Sequence, residues 1–312
     1  MPPRIKTLGQ PNADTINYPR SITVRRSKRK ALSTKAPSAK PGSFGTALGS
    51  LATLYDKRWL IAYLAQREWA RSYQGSYLGL VWALLSPLIM VAMLTLIFSE
   101  VIGIRFREVT GDSALNFGLY LYCGLLPFLV YAQALNKGAS VINRNSNLVQ
   151  GVVFPVEILP MITIITSLIQ SMFGVGALML VLMVLEHRLH WTVLLLPLVM
   201  VPQLVFTLGL CYLIATVGTY VPDIKETLRA FVRATFFITP ILWPTGRVPE
   251  EWSFLVDYNP LAYLVESYRG LILEGELPGL EGSIYFSLFA LALFVVGFVL
   301  YTRFKHNFAD LL

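Results

Sequence analysis

The chain has 312 residues, of which 55% are apolar and only 14% charged, with a mean hydropathy of +0.58. A soluble domain carries closer to 25% charge, so the composition excludes an ordinary soluble enzyme and leaves one membrane domain with little else. The net charge of +8 is uneven: residues 1–79 hold 14 Lys/Arg against 3 Asp/Glu and the rest hold 12 against 15. That is a basic flank on a mildly acidic body, not a nucleic-acid-binding profile.

Residues 1–50 form a basic tail rich in Pro, Ser, Thr, Lys and Arg, without apolar periodicity, and read as disordered. The first 30 residues contain no 7–15-residue apolar core, so no cleavable signal peptide is expected; the Arg- and Ser-rich composition also suits a transit peptide. The cluster Arg25, Arg26, Lys28, Arg29 and Lys30 reads as a solvated tail, or as a contact for RNA or for anionic membrane lipids. Residues 51–79 mix Tyr55, Trp59, Tyr63, Trp69, Tyr73 and Tyr77 with Lys57, Arg58, Arg67 and Arg71. This pattern predicts an amphipathic helix lying in the membrane interface, with aromatics at headgroup depth.

A six-span, all-α membrane domain is expected over residues 80–312. Five uncharged runs, 80–99, 114–135, 158–185, 191–222 and 282–302, each reach the roughly 20 residues that cross a bilayer core. A further stretch, 234–246, has 13 uncharged residues interrupted by Pro240 and Pro244. It is too short to cross cleanly, unless it extends back through Leu228 with Arg229 and Arg233 snorkelling. It reads as a fifth span that ends early. The aromatic, amphipathic stretch 249–273 then predicts re-entrant or interfacial helices before the sixth span. Irregular backbone at membrane depth survives only where protein or a water-filled cavity shields it, so this region borders a pathway.

Six spans put both termini on one side. With the termini cytoplasmic, 21 Lys/Arg lie inside and five outside, as the positive-inside rule requires; without the N-terminal region the count is only seven to five. Cys123 and Cys211 each sit inside an apolar run and read as small apolar fillers, not as a disulfide or a metal site. No G-x-x-x-x-G-K-[ST], H-E-x-x-H, C-x-x-C or G-x-S-x-G motif occurs. His187, His190 and His306 sit at span ends and form no ligand set. The sequence therefore points to a transporter or channel component with no catalytic residues, no metal and no cofactor of its own.

Four ordered segments carry a resemblance: REWARSYQGSYLGLVWALLSPL at 67–88, FPVEILP at 154–160, PDIKETLRAFVRATFFITPILWP at 222–244 and YNPLAYLVESYRGLIL at 258–273. Together they resemble the type-2 ABC exporter permeases that move polysaccharides, over about residues 55–305. The tail is longer than that pattern. The resemblance implies export of O-antigen, capsule or teichoic acid through a pore formed by two copies of the permease. A separate ATPase binds the ATP, and periplasmic export proteins are further partners. It implies location in the bacterial cytoplasmic membrane. The missing phosphate loop agrees, since any ATP-driven transport then takes its energy in trans. A drug or lipid permease is the alternative within transport; a membrane-embedded glycosyl or acyl transferase is another class, but only scattered outer acids are available for it.

Asn143, Arg144 and Asn145, in the polar stretch 137–151, are the candidate ATPase-coupling residues under this resemblance. Glu100 reads either as a pathway group or as an interface acid. Tyr120 and Tyr131, with Tyr122 and Phe128, either stack on sugar rings or pack the second span. Glu157 suits the positive N-terminus of the third span. In the re-entrant stretch the candidates for an outer gate are Trp252, Tyr263, Glu266 and Arg269. The last two, three residues apart, share a helix face; their alternative reading is a local surface pair of little energetic weight.

Overall fold

The computed structural model describes residues 44–101, 116–151, 154–187, 189–221 and 223–312. Residues 1–43, Arg105, Arg107 and Arg188 lie outside the described residues, as do the side chains of Glu100 and Arg247. Among the described residues every regular element is helical, as the charge-free runs require: in a bilayer only a helix or a closed barrel satisfies its own backbone.

Two amphipathic helices, α1 (Phe44–Asp56) and α2 (Arg58–Arg71), lead into the bundle. Helical structure therefore starts inside the stretch expected to be tail. It pauses at Lys57 and ends at Arg71, so the expected 51–79 helix is two helices and a turn. The spans follow as α3 (Trp82–Thr95), α4 (Asn116–Gly138), α7 (Ile158–Val181), α8 (Leu196–Tyr220) and α12 (Leu280–Phe304). With their flanking turns these are the five described helices long and apolar enough to cross a membrane, and they coincide with the five charge-free runs. Between α4 and α7 lie two short helices, α5 (Val141–Arg144) and α6 (Ser146–Gly151). The chain closes with α13 (Phe308–Leu311).

The expected fifth span is displaced. Helix α9 (Ile224–Ile238) has 15 residues, starts before Leu228 and stops ahead of Pro240. Only its last five residues fall in the uncharged stretch 234–246; residues 239–244 are turns and bends, and a 3-10 turn, Thr245–Arg247, follows. At 1.5 Å per residue α9 is about 22 Å long, short of a full crossing. Its first turns carry the exposed Glu226–Arg229 pair at 2.7 Å. Two further helices follow, α10 (Phe254–Asp257) and α11 (Pro260–Arg269), in the stretch expected to be re-entrant.

Helix α4 forms the middle of the bundle, with 78% of its span buried against 11% for the span containing α3. It packs on α3, α7, α8, α9 and α11. The most extensive helix pair is α8 with α12. Its closeness rests on two facing glycines: a Cβ on Gly297 would stand 2.3 Å from the Gly209 oxygen, and one on Gly209 would stand 2.6 Å from the Phe294 nitrogen. Small residues permit such backbone approach where lipid offers helices no hydrophobic reason to associate.

Away from α11, a buried ion pair joins α1 and the end of α12 to the start of α7. Glu157, only 4% exposed at the N-cap of α7, accepts from Ser50 of α1 at 2.9 Å and pairs with Lys305 just beyond α12. The carboxylate caps no helix N–H, so a cation and a hydroxyl from two other elements hold it. The Tyr212 hydroxyl donates to the Glu157 carbonyl at 2.8 Å, and the Tyr301 hydroxyl to that of Val156 at 2.9 Å.

Candidate functional site

The site is built around the point where α9 breaks. Pro240 cannot continue a helix, so the chain turns there and leaves carbonyl groups without helical partners. Away from water each such group costs free energy unless something donates to it. The donor comes from α11. That helix starts on Asn259, whose side chain accepts from the Leu261 N–H at 3.0 Å, with Pro260 in the first turn; both residues suit a helix start. Asn259 also donates to the Thr239 hydroxyl at 3.4 Å, joining the beginning of α11 to the end of α9.

Ten residues later α11 ends on Arg269, which is 0% exposed. Its Nη1 donates to the Pro240 carbonyl at 2.6 Å and to Glu266 Oε1 at 3.1 Å. Nη2 donates to the Ile241 carbonyl at 2.8 Å, and Nε to the Tyr120 carbonyl of α4 at 3.4 Å. The guanidinium lies 3.5 Å from the centre of the Tyr120 ring, within cation–π range. Room for it comes from Gly124, where a Cβ would stand 2.9 Å from Nη2. One planar cation thus holds α4, the end of α9 and α11 together, and its charge offsets the negative end of the α9 dipole. Of the candidates, Tyr120, Glu266 and Arg269 are brought together here. The surface-pair reading of Glu266 and Arg269 needs correction: the glutamate side chain is 37% exposed but the arginine is fully buried.

A second layer went unseen in the sequence. The Tyr268 hydroxyl donates to Gln203 Oε1 at 2.6 Å, and Gln203 Nε2 to the Pro127 carbonyl at 3.4 Å. Gln203 is fully buried. Its signal was available: it is the one amide in the run 191–222, and a polar group at that depth needs a partner. Thr192 adds a 2.7 Å bond to the Leu271 carbonyl.

The remaining candidates make other contacts, although Tyr263 lines one small cavity together with Glu266. Tyr131 is buried in α4, with its ring stacked on Phe206 at 6.4 Å. Tyr263 of α11 stacks on Phe286 at 5.0 Å and donates to the Ser283 hydroxyl at 2.8 Å. Trp252 is 53% exposed, against Phe254 at 6.0 Å. Glu100 belongs to the helical turn Leu96–Val101. Tyr122 and Phe128 are buried as well.

The family described as ABC-2 type transporter matches residues 60–273, about two thirds of the chain. The chain belongs to the ABC-2 type transporter family. It is also similar to an O-antigen export system permease protein, RfbA, of Myxococcus xanthus, with 30% identity over 73% of this chain and 85% of the relative. A Klebsiella pneumoniae RfbA is 26% identical over 84% of this chain and 97% of its own length. The polysialic acid transport protein KpsM of Escherichia coli is 24% identical over 72% and 85%.

The ABC-2 match takes in the Arg269 cluster and also the short helices at the far end of α4. That helix has 23 residues, about 35 Å, so Asn143, Arg144 and Asn145 stand far from Tyr120. Val141 and Ile142 are buried and anchor α5. Arg144 is exposed and donates to the Lys137 carbonyl at 2.8 Å; Asn145 donates to that of Val141 at 2.7 Å. The Asn143 side-chain oxygen is buried without a partner. Two buried apolar residues thus hold α5 in place, and Arg144 is its exposed residue.

Proposed function

We propose that this chain is the membrane-spanning permease subunit of an ABC transporter that exports a polysaccharide, of capsule or lipid-linked O-antigen type, across the bacterial cytoplasmic membrane. The observation that carries the reading is the similarity, along most of both chains, to permeases named for O-antigen export and polysialic acid transport. Two copies form the pathway and a separate ATPase subunit binds and hydrolyses ATP; the chain has no phosphate-binding loop and no cofactor of its own. Both termini and α5–α6 face the cytoplasm, where Asn143, Arg144 and Asn145 meet the ATPase. The α9 break, α11 and Trp252 face the periplasm as the outer gate, and Glu266 with Arg269 sets its resting geometry. The basic tail contacts membrane lipids, not nucleic acid.

The reading is tested by removing the chain from its host, scoring surface glycan, and restoring it with and without a partner ATPase subunit. Glycan that returns only with both supports the exporter. Normal glycan without this chain overturns it and favours a drug or lipid permease. Purified alone, the chain should hydrolyse no ATP.

A further inference from the structure

The segment FPVEILP, residues 154–160, leads from α6 into α7, and the proposed function leaves it without a role. Two spans grip it. Tyr212 of α8 donates to the Glu157 carbonyl at 2.8 Å, Tyr301 of α12 donates to the Val156 carbonyl at 2.9 Å, and Lys305 pairs with the Glu157 carboxylate. Helix α13 packs on α6, and its fully buried Phe308 sets its ring edge-on to Tyr301 at 5.2 Å. Further along, the same two spans grip α11. Gln203 of α8 accepts from the Tyr268 hydroxyl at 2.6 Å, and Ser283 of α12 accepts from the Tyr263 hydroxyl at 2.8 Å. At 1.5 Å per residue the two grips on α8 are about 14 Å apart and those on α12 about 27 Å. Pro202 lies outside the α8 stretch, so no missing helical bond weakens it. Gly209 and Gly297, where the backbones of α8 and α12 meet, lie inside these stretches.

We infer that the α8–α12 pair is the rod through which a movement of α5–α6 reaches α11, with Tyr212 and Tyr301 as positioning residues at one end and Tyr268 and Tyr263 at the other. Tyr212, Tyr301, Gln203 and Tyr268 are fully buried, so water cannot take over a hydrogen bond that one of them gives up. A shift of the segment that leaves α6 therefore either carries both helices with it or strands buried polar groups. The two helices respond as one body, because they are in backbone contact at Gly209 and Gly297 and close packing transmits strain instead of absorbing it. A cluster with only a structural role would fasten one end of the bundle. Here hydroxyls fasten the same pair at both ends, to the segment leaving α6 and to the helix that carries Arg269. The link deepens the proposed function and rests on its reading of α5–α6 as the ATPase contact and α11 as part of the outer gate.

The test uses the full chain with a partner ATPase subunit in vesicles. Tyr258→Cys, at a 74% exposed position at the foot of α11, reports movement there through its rate of labelling by a membrane-impermeant maleimide, with and without ATP on the opposite side. ATP should change that rate. Tyr212→Phe with Tyr301→Phe keeps both rings and removes only the hydroxyls; it should shrink the ATP-dependent change about fivefold while hydrolysis continues at the same rate. Tyr268→Phe should shrink it as much from the other end. All three changes together should lose no more than either set alone, because a link in series is cut once, whereas independent losses multiply, to about 25-fold. A full response in the Tyr212→Phe, Tyr301→Phe chain, or losses that multiply, overturns the link and leaves the export reading standing. Hydrolysis lost in parallel with the response marks a structural role and overturns it as well. No response to ATP in the Tyr258→Cys chain itself overturns the ATP-driven gate and the link together.

Discussion

Arg269 of α11 and Arg144 of α5 are the same residue type placed near opposite ends of α4, and their surroundings give them opposite roles. Arg269 is completely buried, with three carbonyls, a carboxylate and an aromatic face around it. Arg144 is exposed and donates to a single carbonyl. A buried guanidinium is committed: its desolvation is offset only while every partner stays in place. An exposed one is free to take a new partner at small cost. The first therefore holds a geometry, and the second stays accessible from outside the chain.

The largest effect that would break this contrast is at Arg269. Arg269→Ala should destabilise the chain by about 3–5 kcal/mol, because it leaves buried carbonyls and Glu266 without their donor. Thermal unfolding in detergent, followed by size-exclusion profile, measures it; a wild-type midpoint would refute the brace. Arg269→Lys keeps the charge but not the fork of donors, and should recover only part of the loss.

Next comes the buried pair at the other end. Lys305→Ala should cost about 1–3 kcal/mol, the penalty for stranding a buried carboxylate, with the Lys305 side chain already 21% exposed. Protease sensitivity of α1 should rise in parallel, since Ser50 and Lys305 share Glu157. An unchanged cleavage rate would detach α1 from this cluster.

Gly124→Ala sharpens the comparison by crowding Arg269 without removing it. The added methyl stands 2.9 Å from Nη2, and overpacking of this kind costs about 1–3 kcal/mol. Arg144→Glu, in contrast, should alter stability by less than about 0.5 kcal/mol while uncoupling ATP hydrolysis from export in the reconstituted complex. If export continues at its normal rate, α5 is only a connector.

The smallest effect is a pH dependence at Glu274. Burial, then the neighbouring Glu266 and Glu276 carboxylates, push its pKa above the ordinary 4.5, and Arg269 opposes them. A carboxyl that holds its proton more tightly in the folded state contributes stability that is present below pH 4.5 and lost as pH rises through the raised value. Because the side chain is only partly shielded and still meets solvent, screening keeps the effect small. Glu274→Gln should flatten the unfolding midpoint above pH 4.5; an unaltered slope would show that the carboxylate does not sense its neighbours.

The sequence alone determined the number and places of the long helices, because a bilayer demands about 20 apolar residues and charge ends such a run visibly. It also marked the break at Pro240 and Pro244, since proline acts locally. It placed Glu266 and Arg269 on one helix face, since three residues make most of a turn. What surrounds that face only the tertiary structure decided. Tyr120 lies 149 residues from Arg269 and Pro240 lies 29, and no local rule carries a guanidinium to a carbonyl over that distance. The same holds for Glu157 with Lys305, 148 residues apart, and for Gln203 with Tyr268. Local propensity and hydropathy are written residue by residue, whereas burial and partnership depend on which helices meet, and meeting is a property of the whole bundle.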